Sequence, residues 1–122
     1  MENEQKKKRD LRERTFKFAR AIIRLFVSLD KTPLAQILGK QVLRSGTSVG
    51  ANYREADQAR SKLEFISKIG DCLKEADETA YWLELMAAEN ILAAEKLTSL
   101  IDESNQLVAI FTTIRRHAEG KD

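Results

Sequence analysis

The side chains in this sequence that could do chemistry are few. His117 is the only histidine and Cys72 the only cysteine, and Glu75, Asp77 and Glu78 are the closest-set carboxylates. A two-metal site between helices needs Glu-x-x-His pairs projecting inward, but the residue three before His117 is Ile114. His117 reads instead as a surface residue favoured near the negative end of a helix. Cys72 has no histidine near it in sequence and no partner for an internal disulfide, so it reads as a small helical filler. The three carboxylates share no inward face, which describes an acidic surface and no acid/base pair. Gly46 and Gly50 raise the question of a phosphate loop. That loop requires Lys-Ser/Thr directly after its second glycine, so that the ammonium reaches the phosphates. Here Ala51-Asn52 follows and no strand pattern precedes. No catalysis, cofactor, metal or small-molecule substrate is expected.

Charge is more informative. Formal net charge is only +2, yet residues 1–31 carry ten Lys/Arg against five Asp/Glu, and residues 71–103 carry two against nine. Lys6, Arg9, Arg14, Lys17, Arg20 and Arg24 fall within roughly 140° of arc at helical spacing, a stripe that could lie along a phosphate backbone. The competing reading is a solvated face neutralised by the acidic third quarter of the same or an adjacent chain.

These residues need elements to position them, and the periodicity supplies four. One proline and five glycines in 122 residues favour long helices. The first is expected over about 6–29, with Leu11, Thr15, Phe18, Ala19, Ile22, Leu25, Phe26 and Leu29 inward. Thr32 and Pro33 have the types of an N-cap and first helical residue, opening a second helix to about 59. Its inward stripe reads Leu38, Val42, Ser45, Val49, Asn52, Ala56, Ala59. An amide at Asn52 on that stripe would need a partner, because leaving it unsatisfied costs about 1–3 kcal/mol. Ser61-Lys62-Leu63-Glu64 fits a capping box and starts a third helix, 61–88, with Ile66, Ile69, Leu73, Ala76, Ala80, Leu83 and Ala87 inward. Asn90 suits a left-handed turn, and the last helix runs over about 93–118 to a stop at Gly120. The first five or so residues and the C-terminal tail are expected to fray. The sum is one all-α domain over 1–122, an antiparallel up-down-up-down four-helix bundle.

Within it, Gly46 and Gly50 sit a turn apart beside the core stripe. Each costs about 1 kcal/mol against alanine in a helix, which close approach of a neighbouring backbone could offset. Apolar residues off the stripes (Phe16, Ile23 and Val27 on the first helix; Trp82, Leu85 and Met86 on the third) mark an expected oligomer interface. The alternative is that Trp82 lies flat against a neighbouring helix. No apolar run approaches the roughly 18 residues of a membrane span, and Met1–Arg9 is polar. The cytoplasm is the expected location, with no membrane partner.

The stretch from Arg44 to Leu85 resembles a known family, the four-helix bundle proteins named for intervening sequences in bacterial 23S rRNA genes. The matching pieces are Ser45-Gly46-Thr47-Ser48, Gly50-Ala51-Asn52, Arg54-Glu55-Ala56, Phe65-Ile66, Lys74-Glu75-Ala76, Glu78-Thr79 and Tyr81-Trp82-Leu83. Some relatives carry glycine where this chain has Ala56. The resemblance implies an antiparallel bundle, often a ring-like homopentamer, with no enzymatic activity. The signature positions Gly46, Ser48, Gly50, Asn52, Glu55, Glu75 and Trp82 take structural or interface roles by that resemblance. A more distant similarity to accessory proteins of diversity-generating retroelements implies a reverse transcriptase and its RNA as partners, beside the RNA or DNA contact expected from the basic stripe. A protein-interaction scaffold without nucleic acid is the alternative function.

Overall fold

A computed structural model describes residues 2–121. Four helices occur in it: α1 (Glu2–Ser28), α2 (Pro33–Asp57), α3 (Lys62–Ala88) and α4 (Ala94–Ala118). Their starts and stops follow from local chemistry. The Thr32 hydroxyl accepts from the Ala35 N–H at 3.3 Å, with Pro33 opening α2. Ser61 accepts from the Glu64 N–H at 3.0 Å, while the Glu64 carboxylate takes the N–H of Arg60, one residue earlier than a capping box requires. Asn90 ends the third segment at φ 55° and Gly120 the fourth at φ 78°. In both turns an N–H reaches back five residues, Ile91 to the Met86 carbonyl and Lys121 to that of Arg116. The N-terminus differs from the expected fraying, since α1 continues to Glu2. Its first turns are rich in glutamate, glutamine and lysine, all good helix formers. Met1 and Asp122 lie outside the described residues.

Consecutive helices pack along their lengths, whereas α1 and α4 meet over a short seam. The register is antiparallel throughout. Going up α2, Gly39 faces Phe26 and Leu29, Gly46 faces Ile22, and Gly50 faces Thr15. Across α2 and α3, Glu55 meets Lys68, Ser45 meets Thr79, and Arg44 meets Glu75 and Glu78.

The glycines therefore do what their position suggested. A Cβ on Gly46 would stand 2.8 Å from Ile22 Cγ1, and one on Gly50 would stand 3.2 Å from Thr15 Oγ1. The partner is α1: Gly46 makes room for the Ile22 side chain, and only at Gly50 would the Cβ also meet backbone, the Thr15 carbonyl carbon at 3.5 Å. Thr15 returns its own hydroxyl proton to the Leu11 carbonyl at 2.9 Å, so the contact leaves no buried hydroxyl unpaired.

The core differs from expectation at two places. Tyr53, not Asn52, completes the α2 stripe; its ring packs 6.0 Å from that of Phe111 on α4. From Val49 a step of three or four continues a helical stripe, and the larger apolar side chain takes the interior. Asn52 is half-buried on the shoulder, where no buried amide has to be satisfied. On α3, Cys72, Thr79 and Met86 are fully buried besides Ile69, Ala76, Ala80 and Leu83. That helix packs against both α2 and α4, so it buries a wider arc than one stripe.

Candidate nucleic-acid interface

The basic stripe of α1 is built on a helix whose inner face is held by Leu11, Thr15, Phe18, Ile22, Leu25 and Leu29, all buried. Lys6, Arg9, Lys17, Arg20 and Arg24 point to solvent. None of these five is ion-paired among the described residues. Arg14 is different. Its Nε donates to Glu103 on α4 at 2.7 Å, and its Nη2 donates to Glu103 and to Gln106, both at 2.8 Å. The Glu103 hydrogen bond holds the guanidinium even more firmly protonated than usual. Arg14 thus ties the α1–α4 seam and leaves the stripe.

Two cations missed by the sequence reading join it. Arg54, near the end of α2, lies over the Phe16 ring at 5.8 Å. Arg12 approaches Asp57 to 3.9 Å. With Arg9, Glu13 and Phe16 they line a shallow hollow of about 280 Å³. No periodicity within α1 could have found Arg54, which lies 38 residues from Phe16 and meets it only because α2 runs back along α1. The acidic third helix does not neutralise this surface within the chain. Glu75 and Glu78 face Arg44 on α2, and Lys68 takes Glu55.

The expected interface residues divide. Phe16, Ile23 and Val27 are exposed on α1, by 53%, 45% and 71%. Trp82 and Leu85 are half-buried and pack on the core, and the Trp82 Nε1 donates to Glu78 at 3.2 Å. Met86 is in the core itself, which corrects its assignment to an outer surface. The exposed aromatic of α3 is its neighbour Tyr81, stacked edge-on to Trp82 with ring centres 5.1 Å apart. Of the signature residues, Ser48 donates to the Arg44 carbonyl at 2.7 Å, and Glu55 and Glu75 form the α2–α3 ion pairs described above.

Elsewhere the reactive side chains are quiet. Burial, reinforced by Asp71, pushes the Cys72 thiol up to about 12, far from the thiolate a nucleophile needs. His117 is exposed in the last turn of α4. Among the described residues no three His, Cys, Asp or Glu side chains gather as metal ligands, and no helix is long and apolar enough to cross a membrane.

Against this geometry the comparisons are decisive. The family model of the 23S rRNA-intervening sequence protein matches residues 7–113. The chain belongs to that family. A similar solved structure is that of a protein of unknown function from the S23 ribosomal protein family of Bacteroides thetaiotaomicron VPI-5482. It is 38% identical, with a TM-score of 0.81, over 86% of this chain and 97% of the other. No curated protein matches. The intervening-sequence family match thus reaches all four helices of the bundle.

Proposed function

We propose that this intervening-sequence protein is a non-catalytic bundle that assembles with copies of itself, as a pentamer, and contacts RNA or DNA through the outer face of α1. The observation carrying the nucleic-acid part is the run of five exposed cations, Lys6, Arg9, Lys17, Arg20 and Arg24, on one helix, without ion pairs among the described residues. Helical spacing sets such charges a turn or two apart along one line, which suits successive phosphates. Fixed phosphate contacts give affinity without reading sequence. Self-assembly is supported by Phe16, Ile23 and Val27, an exposed apolar strip beside those cations. The subunit number and a reverse-transcriptase partner rest on family resemblance.

Fluorescence anisotropy with labelled single-stranded RNA and duplex DNA tests the contact. Five phosphates per protomer correspond to a slope of log affinity against log salt of roughly −3.5 to −4.5. Lys17→Glu with Arg24→Glu should flatten that slope and weaken binding on both probes. A slope near zero for the unaltered protein would favour the second reading, a protein-interaction scaffold whose exposed apolar strip and separate acid and base faces recruit protein alone.

A further inference from the structure

Two exposed surfaces on adjacent sides of the bundle have opposite shape and opposite charge. The first is a groove of about 310 Å³ between α1 and α2. Phe16, Ala19 and Ile23 form one wall, while Thr47, Gly50 and Ala51 form the other side. It exists because Gly50 and Ala51 put almost nothing above the α2 backbone at that level. Its rim is cationic. Arg54 lies over Phe16, and Arg20 lies one turn from both Phe16 and Ile23. The second surface is on the outside of α3. Tyr81 projects there, 56% exposed and braced edge-on by Trp82. Asp77 and Glu84 lie one turn to either side of it, exposed and without an ion pair among the described residues. The apolar surface extends along the same side. Arg44 faces Glu78 there, so in the antiparallel register Ile37, two turns before Arg44, is level with Leu85, two turns after Glu78.

We propose that Tyr81 of one copy seats in the α1–α2 groove of the next, with Asp77 and Glu84 meeting Arg20 and Arg54. This deepens the self-assembly reading above and rests on it. A second copy suits the groove because the knob that matches its apolar walls carries the acids that match its cationic rim. Knob and groove are different surfaces, so the contact is heterologous. Each copy offers a knob to one neighbour and a groove to another. The two surfaces lie on adjacent sides of the bundle, so the contact turns as it repeats and builds more than a pair, a ring where that turn closes and an open chain where it does not. Lys6, Lys17 and Arg24 lie farther round α1, toward the Arg14 edge, and stay outside the contact. Because the contact takes Arg20 from the five cations of the stripe, an assembled copy keeps four for phosphate and a salt slope of roughly −2.8 to −3.6.

Two variants separate the surfaces. Ala51→Phe fills the groove, and Tyr81→Ser removes the knob; both positions are exposed, so circular dichroism should match the unaltered protein. By light scattering the unaltered chain runs as a multimer, and each variant alone falls to 13.9 kDa. Mixing the two restores one contact, the intact knob of the first variant in the intact groove of the second, and gives a particle of two chains. Arg20→Glu and Glu84→Arg form a second pair, each monomeric alone; when they are mixed every knob meets a groove of opposite charge, so both contacts return and the two variants alternate in a multimer. A variant that remains multimeric, a variant that stops at a dimer alone, or a mixture that stays monomeric overturns the contact while leaving self-assembly standing. The contact is equally overturned if Ala51→Phe keeps the assembly and loses RNA, which would make the groove a base-stacking site. A monomeric unaltered chain would sink both readings.

Discussion

The Thr79 hydroxyl on α3 donates to the Ser45 hydroxyl on α2 at 2.8 Å, with neither residue exposed to solvent. Ser45 lies 2.9 Å from the Gln41 carbonyl, to which it donates in turn. Thr79 Oγ1 also lies 2.7 Å from the Glu75 carbonyl. Two small hydroxyl residues let α2 and α3 approach closely and still satisfy every polar atom they bury. Because the pair shares one bond, its deletions should not add. Thr79→Val and Ser45→Ala should each lower stability by about 1 kcal/mol. The double variant should fall short of their sum by about 0.5 kcal/mol or more. Urea unfolding of the four proteins measures the coupling, and strict additivity would mean the bond contributes nothing.

The glycines make opposite predictions at two positions. Gly46→Ala places a Cβ 2.8 Å from buried Ile22 and should destabilise by about 1–3 kcal/mol through overpacking, despite the better helix propensity of alanine. Gly70 has open space around the same position, so Gly70→Ala should stabilise by about 0.5–1 kcal/mol. Thermal melts that moved both variants in the same direction would contradict the close approach of α1.

Alkaline pH should unfold the protein in two overlapping stages. Burial raises the Cys72 thiol from its ordinary 9.0 to about 12, and raises the Tyr53 phenol above its ordinary 10.0, helped by Asp57. In the unfolded chain both groups release protons earlier than in the native one. The unfolded state then binds fewer protons, so stability falls as pH climbs from about 9 toward 12. Cys72→Ala should delay the onset to about pH 10, where Tyr53 begins to contribute, and Cys72 itself should react with a thiol reagent only when the chain unfolds. An unchanged melting temperature between pH 8 and 11 would refute the burial of both groups.

Asp57 closes α2 with a carboxylate at the negative end of the helix dipole, and its Oδ1 is buried without a hydrogen-bond partner among the described residues. Arg12, at 3.9 Å from the other oxygen, is a distant counter-charge. Asp57→Asn removes the repulsion and should raise stability by about 0.3–1 kcal/mol. Chemical denaturation of the variant decides, and a loss of stability would mean that Arg12 outweighs the dipole.

Much of this was legible in the order of the residues. Apolar spacing near 3.6, the caps at Thr32 and Ser61, and the left-handed Asn90 mark four helices, because helix chemistry is set within a turn or two. The glycines on α2 pointed to close packing for the same local reason. Which side chains share a surface was not legible. Periodicity placed Met86 outside and Asn52 inside, since it cannot say how many neighbours a helix will have. Packing against two helices widened the buried arc of α3, and the larger apolar side chain of Tyr53 took the interior of α2. Arg14 looked like one more cation of the stripe until α4 brought Glu103 to it, and Arg54 joined Phe16 only when α2 folded back along α1. Local sequence determines where each helix runs and which way its greasy side faces. Contacts between residues 34 to 89 positions apart depend on antiparallel register, and only the packed bundle decides those.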